Sequence, residues 1–148
     1  MDDPNLDEYF MRQALMQAQI AEENDEVPVG AVVTLGKTII AKAHNQTEQL
    51  CDCTAHAEMI AITAANNYLS SKYLNDCTIY ITLEPCLMCA GALFWSQIGR
   101  VVFAATDLKR GFKNFELPLL HPKTTITTGI LEQPCASILT NFFKKKRV

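Results

Sequence analysis

Two short motifs constrain this chain more strongly than any other part of its sequence. The first is His56-Ala57-Glu58, and the second is Pro85-Cys86-Leu87-Met88-Cys89. An alanine-rich segment follows the first motif, and a proline, which is well placed in a first helical turn, opens the second. Cysteines three residues apart on a helix project to the same side, so both thiolates can reach one metal ion. The fold must therefore bring two helix N-termini together if His56 is to complete a site.

One histidine and two cysteines form a ligand set that suits zinc and leaves a fourth tetrahedral position open for water. The motifs therefore predict His56, Cys86 and Cys89 as zinc ligands of a catalytic site, with Glu58 close enough to face the open position. Zinc lowers the pKa of bound water to about 7, and a carboxylate beside that water can accept its proton and pass it to a leaving group. A Cys-x-x-Cys pair alone is equally typical of redox and structural metal sites, but its combination with His-x-Glu favours catalysis.

Hydrophobic periodicity places these motifs in an alternating α/β chain. It predicts helices over residues 6–24, 54–69 and 86–95 and a C-terminal helix from about residue 135. Runs rich in β-branched residues predict strands over residues 27–35, 38–43, 78–83, 100–105 and 124–130, with a basic, aromatic loop over 106–122. Strands that alternate with helices favour one sheet covered on both faces, and a hairpin at Gly36-Lys37 makes that sheet mixed. We expect a single domain over residues 1–148.

Charge is distributed unevenly along the 148 residues. The formal net charge is only −3, which taken alone argues against a nucleic-acid partner. Residues 1–96, however, carry thirteen acidic and four basic side chains, whereas residues 97–148 carry nine basic and three acidic ones. An asymmetry of this kind indicates a polyanionic partner for the C-terminal third of the chain.

The first residues, the length of the apolar runs and the remaining cysteines indicate the cellular compartment of the protein. The first residues are acidic and polar, unlike a signal peptide, and no apolar run reaches the ~18–20 residues needed to cross a bilayer. We therefore expect a cytoplasmic protein with reduced thiols. Cys51 and Cys53 alternate across an extended segment and are poor metal ligands, whereas Cys77 and Cys135 are expected in the core.

Beyond the two motifs, the sequence resembles the bacterial tRNA-specific adenosine deaminases from about residue 8 to residue 147. The resemblance rests on Thr-Ala-His-Ala-Glu (54–58), Thr-Leu-Glu-Pro-Cys-Leu-Met-Cys-Ala-Gly-Ala (82–92), Ile-Gly-Arg-Val-Val-Phe (98–103) and Val-Pro-Val-Gly-Ala-Val (27–32). The zinc motif alone marks zinc-dependent nucleobase deaminases in general and is shared with cytosine and guanine deaminases. The flanking segments narrow the resemblance to the tRNA enzymes.

The resemblance implies a reaction, a fold, a metal cofactor and an oligomeric state. The implied reaction is hydrolytic deamination of adenosine to inosine at the wobble position of a tRNA anticodon, by zinc-activated water with Glu58 as the proton shuttle. The implied fold is a three-layer α/β/α sandwich around a five-stranded mixed sheet, the cytidine deaminase-like fold, with one zinc ion per subunit. The enzyme is expected to act as a cytoplasmic homodimer that binds a tRNA anticodon stem-loop near its subunit interface, without a membrane partner.

Positions that match the family imply further site residues. Asn45 is expected to hold the base or ribose and Val29 to form part of the pocket wall; further substrate contacts are expected at Ala57, Asp107 and Phe143. The basic residues expected to reach RNA phosphates are Lys109, Arg110, Lys144, Lys145 and Arg147. Residues 108–121 depart from the commonest family version, because they are shorter and lack its small-residue Gly-Ser segment. A basic, aromatic loop is nevertheless suited to RNA.

Two other functions stay open at the level of the sequence. The first is a free nucleobase or nucleoside deaminase that acts on cytosine or guanine with the same zinc site, although a small neutral substrate gives no reason for the basic C-terminal third. The second is a zinc-stabilised binding module without catalysis, which would leave Glu58 and the open ligand position unexplained. Metal analysis and an ammonia-release assay separate the three functions.

Overall fold

The computed structural model describes residues 3–147. Its helices are α1 (Pro4–Glu23), α2 (Ala57–Leu69), α3 (Leu87–Ser96) and α4 (Glu132–Lys146), and its strands are β1 (Gly30–Leu35), β2 (Thr38–His44), β3 (Cys77–Leu83), β4 (Arg100–Ala105) and β5 (Thr125–Thr128). A short 3-10 turn, Phe112–Asn114, lies between β4 and β5. Within residues 3–147, none of the helices combines the length and the apolarity that crossing a bilayer would require.

The five strands form one mixed sheet in the order β2-β1-β3-β4-β5. Strand β1 is antiparallel to β2 and β3, whereas β3, β4 and β5 are mutually parallel. The hairpin between β1 and β2 turns at Gly36, whose φ of 61° lies in the left-handed region that glycine adopts without strain. The predicted hairpin and the predicted five-stranded mixed sheet are confirmed.

Side chains from alternate strand positions form a core on each face of the sheet. One core packs the sheet against α2 and α3 and includes Val33, Ile79, Ile81, Val101 and Phe103. The other packs it against α1 and α4 and includes Phe10, Met11, Val32, Tyr80, Val102 and Cys135. Helices on both faces of a central sheet make the predicted three-layer α/β/α sandwich.

The starts of α2 and β1 each lie three residues later than predicted. Helix α2 begins at Ala57 rather than at residue 54, because the Asp52 carboxylate accepts hydrogen bonds from the N–H and the hydroxyl of Thr54 and holds that segment in a turn. Strand β1 begins at Gly30 rather than at residue 27, since the Val29 N–H is taken by the carbonyl of residue 27 at 2.8 Å instead of by a neighbouring strand. Both differences lie next to the candidate site.

The sheet topology brings the two sequence motifs to the same edge. Strands β2 and β3 both run antiparallel to β1, so both end on the same side of the sheet. Residues 45–56 lead from β2 to the N-terminus of α2, and residues 84–86 lead from β3 to the N-terminus of α3. The two helix N-termini consequently meet, as the ligand spacing requires.

Candidate active site

Three metal-ligating side chains meet where α2 and α3 begin. His56 is the N-cap residue of α2, and Cys86 is the N-cap residue of α3. Cys89 lies in the first turn of α3 and faces the same side as Cys86. The Nδ1 atom of His56 lies 3.7 Å from the Sγ atom of Cys86 and 3.5 Å from that of Cys89. Because all three ligand atoms lie within 4.8 Å of one another, a single ion can contact them together.

These separations fit a tetrahedral zinc ion. Zinc–nitrogen bonds of about 2.1 Å and zinc–sulfur bonds of about 2.3 Å place the nitrogen and sulfur atoms about 3.6 Å apart, which agrees with both measured distances. The grouping of His56, Cys86 and Cys89 that the motifs predict is therefore confirmed as a group positioned to bind a metal ion. Cys51 and Cys53 are exposed free thiols outside this group, and Cys77 and Cys135 lie in the core as predicted.

Hydrogen bonds among the three side chains prepare the group for a cation. Hydrogen bonds from Cys89 and His56 lower the pKa of Cys86 to about 4, so Cys86 is a thiolate at neutral pH. The hydrogen bond between the two thiols, together with burial, raises the pKa of Cys89, which therefore stays protonated. The hydrogen bond to Cys86 also raises the pKa of His56. A metal ion that binds here must displace the protons of His56 and Cys89.

Glu58 is a buried carboxyl group beside these ligands. It lies in the first turn of α2, and only 4% of its surface is exposed. Burial is the main cause that raises the pKa of Glu58 to about 7, and repulsion from the Cys86 thiolate adds to it, although a backbone hydrogen bond and the attraction of His56 oppose the rise. A carboxyl group with a pKa near 7 can both accept and release a proton at neutral pH.

The segment after β2 places an amide side chain against the start of α2. Asn45 is buried, and its own N–H donates to the Val29 carbonyl at 3.1 Å. Its Oδ1 atom accepts a hydrogen bond from the N–H of Ala57, also at 3.1 Å. Because the amide oxygen is engaged with the helix, the NH2 group of Asn45 is the part that can donate to a ligand. The side chain of Ala57 is fully buried.

A cavity of about 300 Å³ opens onto the metal ligands and Glu58. This volume lies at the lower end of the range for small-molecule sites, so the cavity suits one nucleobase rather than a folded RNA stem. The residues predicted from sequence that line it are Val29, Asn45, His56, Glu58, Cys86, Asp107, Arg110 and Phe143. Phe142 packs inward instead, while Phe143 is 42% exposed at the cavity.

The other basic residues predicted to contact RNA lie away from the cavity. Lys109 and Arg147 are exposed, and Lys144 and Lys145 line a separate cleft between α1 and α4. Lys146, their neighbour, pairs with Asp25 at 2.5 Å. Contact between the four predicted residues and RNA phosphates stays a prediction.

Several residues that shape the site escape prediction from the sequence. Additional lining side chains are Val27, Thr47, Leu83, Glu84 and Leu139. A buried carboxylate, Glu26, fixes the segment after Asn45 by accepting hydrogen bonds from the N–H groups of Glu48 and Gln49 at 3.0 and 2.7 Å. No pattern in the sequence indicated this role, because Glu26 lies in the short connection between the predicted helix over residues 6–24 and the predicted strand over residues 27–35.

The fold and the His-Cys-Cys group are those of a zinc-dependent deaminase, and comparison with known proteins narrows the class. Residues 4–105 match the family model described as the cytidine and deoxycytidylate deaminase zinc-binding region. A tRNA-specific adenosine deaminase from Aquifex aeolicus is 46% identical over 145 residues, which cover 95% of each chain. A structure from a study of A-to-I editing by tRNA:A34 deaminases has a TM-score of 0.83 and 40% identity, over 88% of this chain and 99% of that chain.

A solved guanine deaminase from Bacillus subtilis is also similar, with 37% identity and a TM-score of 0.64 over 67% of this chain and 64% of that chain. The match to the tRNA enzymes, by contrast, extends over nearly the whole chain. The chain belongs to the zinc-binding cytidine and deoxycytidylate deaminase family and, within it, to the tRNA-specific adenosine deaminases. The family and the zinc cofactor predicted from the sequence are confirmed.

Proposed function

We propose that this chain hydrolyses adenosine to inosine at the wobble position of a tRNA anticodon. The observation that carries the proposal is the single cavity of about 300 Å³ that joins the metal-ligand group, the buried Glu58 and the side chain of Asn45. Such a cavity accepts one base, so the adenosine must leave its stack and enter the site alone. The near full-length similarity to tRNA-specific adenosine deaminases supports adenosine in tRNA as the substrate.

The chain's own side chains supply the proton transfers. His56, Cys86 and Cys89 would hold the zinc ion, and bound zinc supplies the Lewis acidity that makes water nucleophilic near neutral pH. Glu58, with a pKa of about 7, accepts the proton of the attacking water and delivers protons to N1 of the adenine and then to the departing amine. Ammonia leaves and inosine remains.

Other residues orient the adenosine. The NH2 group of Asn45 is placed to donate to the base or ribose, because its Oδ1 atom is bound to the Ala57 N–H. Val29 provides an apolar wall, and the exposed ring of Phe143 provides a surface on which a base can stack. These groups fix the position of the adenine relative to Glu58, and water is excluded as the base fills the cavity.

Side chains in the C-terminal third of the chain would bind the RNA. Asp107 and Arg110 line the cavity and would meet nucleotides that flank the adenosine. Lys109, Lys144, Lys145 and Arg147 would neutralise phosphates, which accounts for the excess of basic residues in this part of the chain. Catalytic and RNA-binding side chains are thereby divided along the sequence.

The active form is proposed to be a cytoplasmic homodimer. Trp95 of α3 is 76% exposed, and Leu108 and Leu117 are 84% and 73% exposed. Large apolar side chains of this kind are typical of buried protein interfaces. Self-association through α3 and the loop after β4 would cover them and would bring a second basic surface near each cavity.

The test is a deamination assay on purified protein with measured zinc content. An anticodon stem-loop with adenosine at the wobble position should yield inosine and one ammonia per RNA. A matched stem-loop with the adenosine moved by one nucleotide controls for position, and free cytosine, guanine and adenosine control for substrate class. Ammonia from free guanine or cytosine, with none from the stem-loop, would contradict the proposal and favour the second candidate, a free-base deaminase like the guanine deaminase that resembles this chain.

A further inference from the structure

Glu84 is a buried carboxylate that connects the end of β3 to the loop over the cavity. It precedes Pro85 and Cys86 in the sequence, and only 2% of its surface is exposed. One carboxylate oxygen accepts a hydrogen bond from the N–H of Asp107 at 3.0 Å, and the other accepts one from the N–H of Lys113 at 2.9 Å. A single side chain therefore holds both ends of residues 107–113, which we call the rim loop.

Further contacts fix the middle of the rim loop beside a metal ligand. The N–H of Phe112 donates to the Pro85 carbonyl at 2.9 Å, and Gly111 forms an isolated antiparallel bridge with Cys86. The ring of Phe112 is buried edge-on against Phe103, with the ring centroids 6.0 Å apart. The rim loop is thus attached to the start of α3 through backbone groups, with Glu84 beneath it.

Gly111 is required at its position by the approach of Glu84. Its φ of −63° is open to any residue, so backbone conformation does not explain a glycine here. A Cβ atom added at this position would instead overlap the carboxylate of Glu84. That carboxylate cannot swing away without giving up its two hydrogen bonds. Glu84 and Gly111 therefore form a matched pair.

The rim loop carries two side chains that line the cavity. Asp107 and Arg110 both reach it, and the Oδ1 atom of Asp107 accepts a hydrogen bond from the Arg110 N–H at 3.0 Å. We propose, on the basis of the function proposed above, that Glu84 is a positioning residue that fixes the rim loop so that Asp107 and Arg110 meet the nucleotides flanking the reactive adenosine. Glu84 acts on RNA binding through the loop and takes no part in the proton transfers.

The main test is Glu84→Gln, which keeps the size of the side chain but offers only one acceptor oxygen for the two N–H groups. We expect KM for the anticodon stem-loop to rise about tenfold, since one hydrogen bond in a buried position is lost and the loop shifts. The turnover number kcat should change by less than about twofold, because binding contacts rather than transition-state contacts are removed. Amide hydrogen exchange at Asp107 and Lys113, measured by NMR, should accelerate, and zinc content should be unchanged.

The matched control is Asp7→Asn, which removes another buried carboxylate on the opposite face of the sheet. It should lower the melting temperature and leave KM for the stem-loop as it is. If Glu84→Gln behaves in the same way, with a lower melting temperature, an unchanged KM and unchanged exchange at Asp107 and Lys113, Glu84 is merely structural and the proposal is wrong.

A second test uses the contact between Glu84 and Gly111 in a double-mutant cycle. Gly111→Ala should raise KM and accelerate exchange as Glu84→Gln does. In a Glu84→Ala background the overlapping carboxylate is absent, so Gly111→Ala should cause almost no further change in KM or in amide exchange. Full additivity of the two changes would overturn the proposal.

The proposed function and the role of Glu84 can fail separately. If the unmodified chain makes no inosine from the stem-loop, the proposed function is wrong, and the exchange rates still report whether Glu84 holds the rim loop. If inosine is formed but neither KM nor exchange responds to Glu84→Gln and Gly111→Ala, the function stands and the role of Glu84 does not.

Discussion

Two clusters of polar side chains lie on opposite faces of the sheet and are built in opposite ways. The ion-pair cluster, beneath α1 and α4, consists of Asp7, Tyr80, Arg100 and Thr127. The metal-site cluster, at the start of α2 and α3, consists of His56, Glu58, Cys86 and Cys89. In the first, Arg100 donates to both carboxylate oxygens of Asp7 at 2.8 and 2.7 Å. The second faces a cavity and has room for an ion and a base.

Each cluster contains one buried carboxyl group, and the two carboxyl groups have opposite pKa shifts. Asp7 is 3% exposed and Glu58 is 4% exposed. Burial alone would raise the pKa of Asp7, but hydrogen bonds from Arg100 and Tyr80 outweigh it and hold the pKa below its ordinary 3.8. The pKa of Glu58 rises to about 7. Burial raises the pKa of both carboxyl groups; at Asp7 the hydrogen bonds from Arg100 and Tyr80 outweigh it and give a fixed ion, whereas at Glu58 burial prevails and gives a proton carrier.

The largest expected effect is that of Glu58→Gln. The amide cannot carry a proton, so the rate of inosine formation should fall by about 100-fold to 10,000-fold. The free energy of unfolding should not decrease, because a neutral amide removes the cost of burying a carboxylate. Zinc content, measured by metal analysis, should stay at one ion per chain. Near-normal turnover would show that Glu58 is not the proton shuttle.

Asp7→Asn should have the opposite effects: the chain should lose stability and keep its turnover. The substitution removes the carboxylate of a salt bridge whose two side chains are 11% and 5% exposed, and it should lower the free energy of unfolding by about 3–5 kcal/mol. The melting temperature should fall by about 10 °C for a chain of this size. Turnover of the folded fraction, measured well below the melting temperature, should stay normal. A parallel loss of kcat would indicate that the two faces of the sheet are coupled.

Low pH should reduce the contribution of the ion-pair cluster to the free energy of unfolding. Because the folded pKa of Asp7 lies below 3.8, its stabilising contribution is complete above that value and is lost as the pH falls through the lowered folded value. The difference in unfolding free energy between the unmodified chain and Asp7→Asn should therefore stay constant down to about pH 4 and shrink as the pH falls further. Urea unfolding at each pH measures this difference, and a value that stays constant below that pH would contradict the assigned pairing.

The fold was predictable from the sequence where its determinants are local. Alternation of apolar runs with periods of two and 3.6 residues is enough to predict five strands, four helices and a hairpin at Gly36. The start of α2 was predicted three residues early, because the turn between Asp52 and Thr54 depends on one side chain and has no period. The strand order could not be predicted, since it depends on pairings between distant segments.

The two clusters also differ in how far they could be predicted from the sequence. The spacing of Cys86 and Cys89 and the adjacency of His56 and Glu58 are local patterns that predict a metal site directly. The pair of Asp7 and Arg100 joins residues 93 positions apart, so the sequence gives no sign of it. The hydrogen bonds of Glu84 to the rim loop are hidden for the same reason.

The smallest expected effect is that of Tyr80→Phe, which removes one hydrogen bond to Asp7 and leaves the ion pair with Arg100 intact. It should cost about 1 kcal/mol of unfolding free energy at neutral pH and leave inosine formation unchanged. Burial and the hydrogen bond to Asp7 raise the pKa of Tyr80 above its ordinary 10, so the contribution of the phenol is complete below pH 10 and is lost as the pH rises through the raised folded value. The same hydrogen bond lowers the pKa of Asp7 and raises that of Tyr80, so the stability difference between Tyr80→Phe and the unmodified chain should narrow both in alkali and in acid. A difference that stays constant in acid would mean that the hydrogen bond from Tyr80 does not lower the pKa of Asp7.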